Sequence, residues 1–558
     1  MLNLNIGVLG HVDSGKTSLA KVLSTVASTA AFDKNPQSQA RGITIDLGFS
    51  SFTVDVPDHL LNEEQSGKLQ FTLVDCPGHA SLIRTIIGGA QIIDMMILVI
   101  DVTKGMQTQT AECLVIGEIT CKKMVVVLNK TDLLPPAQRS YLIEKMSKKM
   151  KMTLKNTVFR DCPIVSIAAN PGGSDSPSNG PEGINDLINI LKEMAYVPIR
   201  NRLKPFLFAV DHCFSIRGQG TVLTGTVLQG EIKINDIIEI PALQATKKVK
   251  SLQMFRMPVE KAQQGDRLGI CVTQFDPKLF ERGLIAAPHF VVSAYAAIIS
   301  IHKIKYFKGS VASKSRFHVT MGHDTVMARI TIFGLLPKDY LEAESKLPDN
   351  YINLHFNYKY LDELFLLNDN DTEQSDDIPI KQYALLEFDK QLSVVPGSVV
   401  IGSKLDIDFH SNTCRLAFSG CLLECLEDKN YPQTVLPNLK VYKEKSKLGL
   451  VERVVNTQEV IVKKLFKKET NIPLFSGLKV NLSTGDKGVI EGSFGQSGKV
   501  KVRIPGELSP TTMALVAGQS KKRGKHTICQ ASPEMDPITV ELQFKRLIYD
   551  PLKKIVQD

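Results

Sequence analysis

Residues Gly10 to Thr17, Gly-His-Val-Asp-Ser-Gly-Lys-Thr, constrain the fold of this chain more than any other stretch. Before them Leu2–Val8 alternates apolar with small or polar residues and predicts a strand. After them Lys16–Ala27 places Leu19, Val22, Leu23 and Val26 at helical spacing. Strand, glycine loop and helix in that order make a phosphate cradle. Its glycines let backbone N–H groups approach phosphate oxygens, and the helix N-terminus adds a favourable dipole. Lys16 is placed to bridge β- and γ-phosphates and the Thr17 hydroxyl to ligate Mg²⁺, with Asp13, Ser14, Gly15 and Ser18 completing the loop.

Three later segments extend that reading. Arg41-Gly42-Ile43-Thr44 supplies Thr44, a second hydroxyl for Mg²⁺ when the γ-phosphate is present. Asp75-Cys76-Pro77-Gly78-His79 follows the strand-like run Phe71–Val74. Asp75 is placed to hold Mg²⁺ through water, Gly78 to offer its N–H to the γ-phosphate, and His79 to stand beside the attacking water as the catalytic residue. Asn129-Lys130-Thr131-Asp132 leaves the carboxyl end of the apolar strand Val125–Leu128, where open α/β sheets bind ligands. Asp132 can accept from guanine N1–H and its exocyclic amine. Adenine would leave the carboxylate unpaired, a mismatch worth roughly 10⁴–10⁵ in discrimination. The structural alternative is that Asp132 only caps a helix. The four segments together indicate GTP, hydrolysed to GDP, with Mg²⁺.

At 558 residues the chain has room for about four domains of ~150 residues. Its 43% apolar and 22% charged content is ordinary for globular cores. There is no apolar run of about 18 residues, so no membrane span is expected. The first strand begins almost at residue 1, so no signal or transit peptide is expected either. Ten cysteines without a C-x-x-C pair read as reduced cytosolic thiols with no zinc site. Residues 431–558 hold 22 Lys and Arg against 12 Asp and Glu. The rest is nearly neutral, so the C-terminal quarter points either to a polyanion partner, most simply RNA, or to a soluble domain with solvated lysines.

Strands near 96–101, 123–129 and 164–168 alternate with helical stretches at 79–93, 108–121 and 137–154, which predicts a doubly wound α/β domain over residues 1–200. The Pro198–Pro205 stretch reads as a linker. Short β-rich segments with glycine turns then predict a barrel over 201–290 and a second over 291–430, the latter interrupted by the acidic insertion 369–377. A basic, β-rich domain follows over 431–558. Its run Lys521-Lys522-Arg523-Gly524-Lys525 reads as an RNA contact, a nuclear address or a solvated loop.

With these motifs in this order, the chain resembles the translational GTPases related to elongation factor Tu. Within them, R-G-I-T-I-D-L-G-F at 41–49, Val210–Ile216, Gln264–Ile270 and the fourth domain resemble the selenocysteine-specific elongation factors in their eukaryotic form. The resemblance runs the whole length. It implies a GTP-hydrolysing factor that delivers selenocysteinyl-tRNA to ribosomes at recoded UGA codons, its last domain coupled to the selenocysteine insertion element of the mRNA and that element's binding protein. A monomer without membrane contact is expected, cytoplasmic from its reduced thiols and also nuclear where the run 521–525 serves as an address. Val12 and Ile43 match the family's apolar gate in front of His79. Ala168-Ala169-Asn170 matches the guanine-capping segment, with the Ala169 N–H directed at guanine O6.

The same resemblance assigns Asp211, His212 and Arg267 to a selenocysteine pocket. The chemistry agrees. A selenol is largely ionised at neutral pH while serine and cysteine side chains largely are not, so His212 and Arg267 would prefer the selenolate through charge-assisted contacts. Asp211 either holds His212 protonated or binds the α-amino group. The alternatives are a surface ion-pair cluster on a barrel, a general or initiation-type tRNA carrier, and a signalling GTPase with protein-binding barrels.

Overall fold

The computed structural model describes the chain outside residues 1, 25, 28–46, 62–66, 79–84, 88–91, 173–179, 256, 323, 338–350, 355, 368–377, 407–412, 496, 522–536, 553 and 558. The first domain is a seven-stranded sheet of β1 (Leu2–Gly10), β2 (Val26–Ala27), β3 (Gly48–Asp55), β4 (Lys68–Asp75), β5 (Met95–Asp101), β6 (Lys123–Asn129) and β7 (Ile164–Ser166). Their order is β2-β3-β4-β1-β5-β6-β7. Strands β4 through β7 run parallel, while β3 is antiparallel to β4. Helices α1 (Lys16–Leu23), α2 (Thr108–Thr120), α3 (Arg139–Leu154) and α4 (Ile184–Met194) pack on the two faces.

Strand β5 is buried along its whole length, as expected of a parallel strand covered on both sides. The central β1 is instead polar on one face, at Asn3 and Asn5, and both are buried. Each donates to the Gly265 carbonyl of the next domain, at 2.8 and 2.9 Å. Thr72 in turn donates to Asn3 at 2.8 Å. The alternation that marks β1 as a strand is therefore also a docking surface, because buried amides must find partners.

Helix α1 is shorter than its apolar spacing predicts. It ends at Leu23, and Val26–Ala27 pairs as an edge strand with Ser50–Ser51 of β3. Ser24, in extended backbone (φ −75°, ψ 124°), closes the helix with its N–H on the Ala20 and Lys21 carbonyls and turns the chain toward the edge strand. The helical stretch predicted over 79–93 lies largely outside the described residues.

From Leu207 to Ala286 six strands close into a barrel, the strands Ile237–Ile240 and Ala245–Met254 completing the ring. A second six-stranded barrel runs from Val292 to Leu426. The C-terminal region is a third, closed where Val441–Asn456 pairs with Thr539–Leu547. The last two barrels share one ladder, Tyr358 with Val441 and Lys359 with Tyr442. Phe333, Tyr358, Tyr360, Tyr383 and Tyr431 pack around that junction. Among the described residues no helix is long and apolar enough to cross a membrane.

Candidate functional site

The glycine loop leaves β1 and enters α1 through Gly15, whose left-handed conformation (φ 89°) suits glycine. No side chain caps the helix, so its first N–H groups point into the loop's concavity. The loop has almost no spare volume on its protein side. A Cβ on Gly15 would come within 2.2 Å of the Asn129 amide, and one on Gly78 within 2.3 Å of Lys16 Nζ.

Lys16 is buried and donates to the His11 carbonyl at 2.8 Å. Burial lowers its pKa, opposed by the nearby Asp75 carboxylate. The Thr17 hydroxyl donates to Asp75 at 2.7 Å, which brings two hard oxygen donors together beside the lysine. Ser14 Oγ is buried with no hydrogen-bond partner in the described structure. Asp13 takes a left-handed backbone (φ 60°), Ser18 lies in the first turn of α1, and Val12 sits half-buried where its N–H faces Gly78. Thr44, Ile43 and His79 lie outside the described residues.

The segment Asn129–Asp132 closes the other side. Asn129, 2% exposed, donates to the Ser14 carbonyl at 2.9 Å and accepts from the Ala169 N–H at 3.1 Å. One amide thus ties the phosphate loop to the segment that follows β7. The Ala169 N–H expected to reach guanine O6 is the one that donates to Asn129. Ala168 instead forms a two-bond bridge with Glu182. Lys130 pairs with Asp101 at 3.0 Å, a partner the motif alone does not announce. Burial disfavours the Asp101 charge, but the Thr103 hydroxyl and N–H and Lys130 hold its carboxyl below the usual range. Asp132 sits half-buried in a short 3₁₀ turn, Thr131–Leu133, and accepts from the Gly172 N–H at 3.3 Å.

In the first barrel, the three residues expected to form the pocket fall on two strands that flank Gly220–Gln229. Asp211 and His212 lie on Leu207–Ile216 at a bulge, and Arg267 begins Arg267–Val272. Arg267 is 4% exposed, bonds to Asp211 and Thr226, and lays its guanidinium 3.2 Å from the ring centroid of Phe49 on β3. Among the described residues its Nη2 has no hydrogen-bond partner. Burial lowers the Arg267 pKa, opposed by Asp211. The Asp211 carboxylate, expected to partner His212 or an α-amino group, is bound by Arg267.

Phe49 is the residue that sequence reasoning missed. It closes the segment 41–49, and its signal was an aromatic one residue past a glycine at a strand start. The neighbouring Gln264-Gly265 turn, part of the same motif as Arg267, serves the domain interface. Arg200 from the linker grips Asp94 with two bonds, at 2.9 and 2.6 Å. On the opposite flank Arg415 of the second barrel forms a buried pair with Glu112 of α2, at 2.9 and 2.7 Å.

A glycine loop on an uncapped helix, an N-K-T-D turn tied to it and a chain of barrels docked on the sheet define a translational GTPase. Residues 2–264 match the elongation factor Tu GTP binding domain family. Residues 298–420 match the third domain of eukaryotic selenocysteine-specific elongation factors, and residues 437–553 the eEFSec C-terminal RIFT domain. The chain is 54% identical to the selenocysteine-specific elongation factor of Mus musculus, over 100% of this chain and 99% of that one. It is 31% identical to that of Methanocaldococcus jannaschii, over 91% and 96%. The structure of SelB from Methanococcus maripaludis in complex with the GTP analogue GppNHp is similar at TM-score 0.66 and 25% identity, covering 98% and 99%. The chain belongs to the selenocysteine-specific elongation factors, and as such it is a guanine-nucleotide-binding translation factor that hydrolyses GTP.

Proposed function

We propose that the GTP-bound protein carries selenocysteinyl-tRNA to the ribosome and reads the amino acid at Arg267, with His212 and Asp211 beside it. The observation that carries this reading is the Arg267 guanidinium, 4% exposed, with Nη2 lacking a partner among the described residues. A buried cation with an unused donor is costly, and an anion delivered to that edge satisfies it. A seryl hydroxyl brings no charge, so a general tRNA carrier gains nothing from this arrangement. The test is GTP-dependent binding of selenocysteinyl- and seryl-tRNA on the same tRNA body. Equal affinities would overturn the reading.

In hydrolysis Lys16 exchanges the His11 carbonyl for phosphate oxygens, and the N–H groups at the start of α1 receive the remaining charge. Thr17 and Asp75, already within 2.7 Å of each other, fit Mg²⁺ as hard oxygen ligands, with Thr44 joining them. The ion, when bound, neutralises charge on the phosphates. His79 orients the attacking water when the ribosome moves it past the gate of Val12 and Ile43. His79→Ala should keep GTP affinity within a few-fold while removing most ribosome-stimulated turnover, because its contribution is confined to the transition state. Stimulated turnover at the original rate would exclude it.

The third barrel is the RNA-facing part, acting on the selenocysteine insertion element together with that element's binding protein. Lys445, Lys479, Lys487 and Lys545 line a cavity of about 690 Å³ on it. Reversing these four to Glu should abolish salt-dependent RNA binding and UGA recoding while GTP binding persists. This variant is a cleaner test than deletion of 431–558, which would strip the ladder partner from Tyr358–Lys359. Undiminished recoding would reduce the region to solvated lysines. The protein acts as a cytosolic monomer. The basic run 521–525 that suggested a nuclear address falls, beyond the backbone of Lys521, outside the described residues.

A further inference from the structure

Helix α3, which follows the base-reading turn, carries a surface that neither site uses. Its inner half is buried at Met150 and Leu154, with Leu142, Ile143 and Met146 packed against the same core. That half holds the helix on the domain. The outer half combines five cations on the helix with a single carboxylate, Glu144. Arg139 is committed to Glu182 and Thr131, and Lys148 to Glu144 at 2.6 Å. Lys145, Lys149 and Lys151 are exposed and face no carboxylate within ion-pair distance among the described residues.

Charge alone describes a solvated helix, but large apolar side chains lie on the same stripe. Tyr141 is 65% exposed and Met152 79%. Positions 141, 145, 149 and 152 follow one another at intervals of four, four and three. They therefore form one continuous row: tyrosine, lysine, lysine, methionine. Val158, 66% exposed, continues the apolar surface past Lys155. Solvated helices balance lysines with glutamates at i,i+4 and keep such apolar groups inward.

We propose that this face of α3 docks an acidic peptide segment that also carries apolar side chains. Its carboxylates would meet Lys145, Lys149 and Lys151, and its apolar groups Tyr141 and Met152. A peptide fits better than RNA for two reasons. The free cations of the row are all lysines, without the planar guanidinium fork that phosphates favour. A phosphate backbone would also leave Met152 and Val158 uncovered, whereas an amphipathic acidic segment covers charge and apolar area together.

The test uses the full chain and fluorescein-labelled 16-mers, read by anisotropy. The probes are a Glu-rich peptide with Leu and Phe every third residue, an all-glutamate peptide and a poly(U) RNA. The apolar-acidic peptide should bind the wild type most tightly and weaken with salt. Lys145→Glu/Lys149→Glu/Lys151→Glu should cost about tenfold or more, and Tyr141→Ala/Met152→Ala about fivefold, with GTP affinity unchanged in both. The proposal falls if neither variant weakens the apolar-acidic peptide, if that peptide does not bind the wild type, or if the all-glutamate peptide binds equally well. It falls equally if the charge reversal removes poly(U) binding alone, which would make the face a nucleic-acid surface.

Discussion

Asp132→Asn should exchange guanine for xanthine. The carboxylate accepts from N1–H and the exocyclic amine of guanine, and the amide puts a donor where one of those acceptors stood. GTP affinity should fall by roughly 10⁴, and xanthosine triphosphate should become the preferred nucleotide. The turn itself should survive the change. It is held by the Thr131 hydroxyl on the Ile167 carbonyl at 3.0 Å and by Arg139 on the same hydroxyl at 2.9 Å, and not by Asp132. Competition between the two nucleotides for the purified variant is the measurement. A continued preference for GTP would place the base elsewhere.

Arg267 should show the second large effect, in two separable parts. Arg267→Ala strips a buried carboxylate, Asp211, of its partner, and breaking a buried pair from one side costs about 3–5 kcal/mol of stability. It also removes the charge-assisted contact to a selenolate, so the preference for selenocysteinyl- over seryl-tRNA should shrink roughly 10- to 150-fold. The double variant Asp211→Asn/Arg267→Met separates these. It should regain much of the lost thermal stability while the preference stays low. Lowering pH until the selenol is protonated should shrink the wild-type preference as well. If the double variant binds both tRNAs with wild-type discrimination, Arg267 is a structural ion pair beneath Phe49 and does not read the amino acid.

That second prediction shows where sequence reasoning stopped. Arg267 and Asp211 stand 56 positions apart in the chain, and Phe49 belongs to another domain. The spacing of none of them announces that Arg267 is sandwiched between a carboxylate and a ring. The phosphate loop was legible for the opposite reason. The contacts expected of it are those of backbone N–H groups, so its glycines and its register to strand and helix carry nearly all the information. Asn129 stands between the two cases. Its motif marks it, but its double grip on Ser14 and Ala169 exists only because β1, β6 and β7 end on one edge of the sheet. That the Ala169 N–H has Asn129 as an acceptor is invisible in a linear pattern.

By itself the sequence determined the elements whose chemistry is local: the cradle, the base-reading turn, the β-rich remainder and the concentration of lysine in the last quarter. Only the tertiary structure decided what the buried polar residues are for. Asn3 and Asn5 would be liabilities on a central strand were they not donating to Gly265 of the barrel, and Glu112 would be one on α2 without Arg415. The reason is physical. A motif that binds through consecutive backbone groups is written in consecutive residues. The desolvation of an amide or a charge is compensated by whatever the fold brings opposite it, and that partner can lie hundreds of residues away.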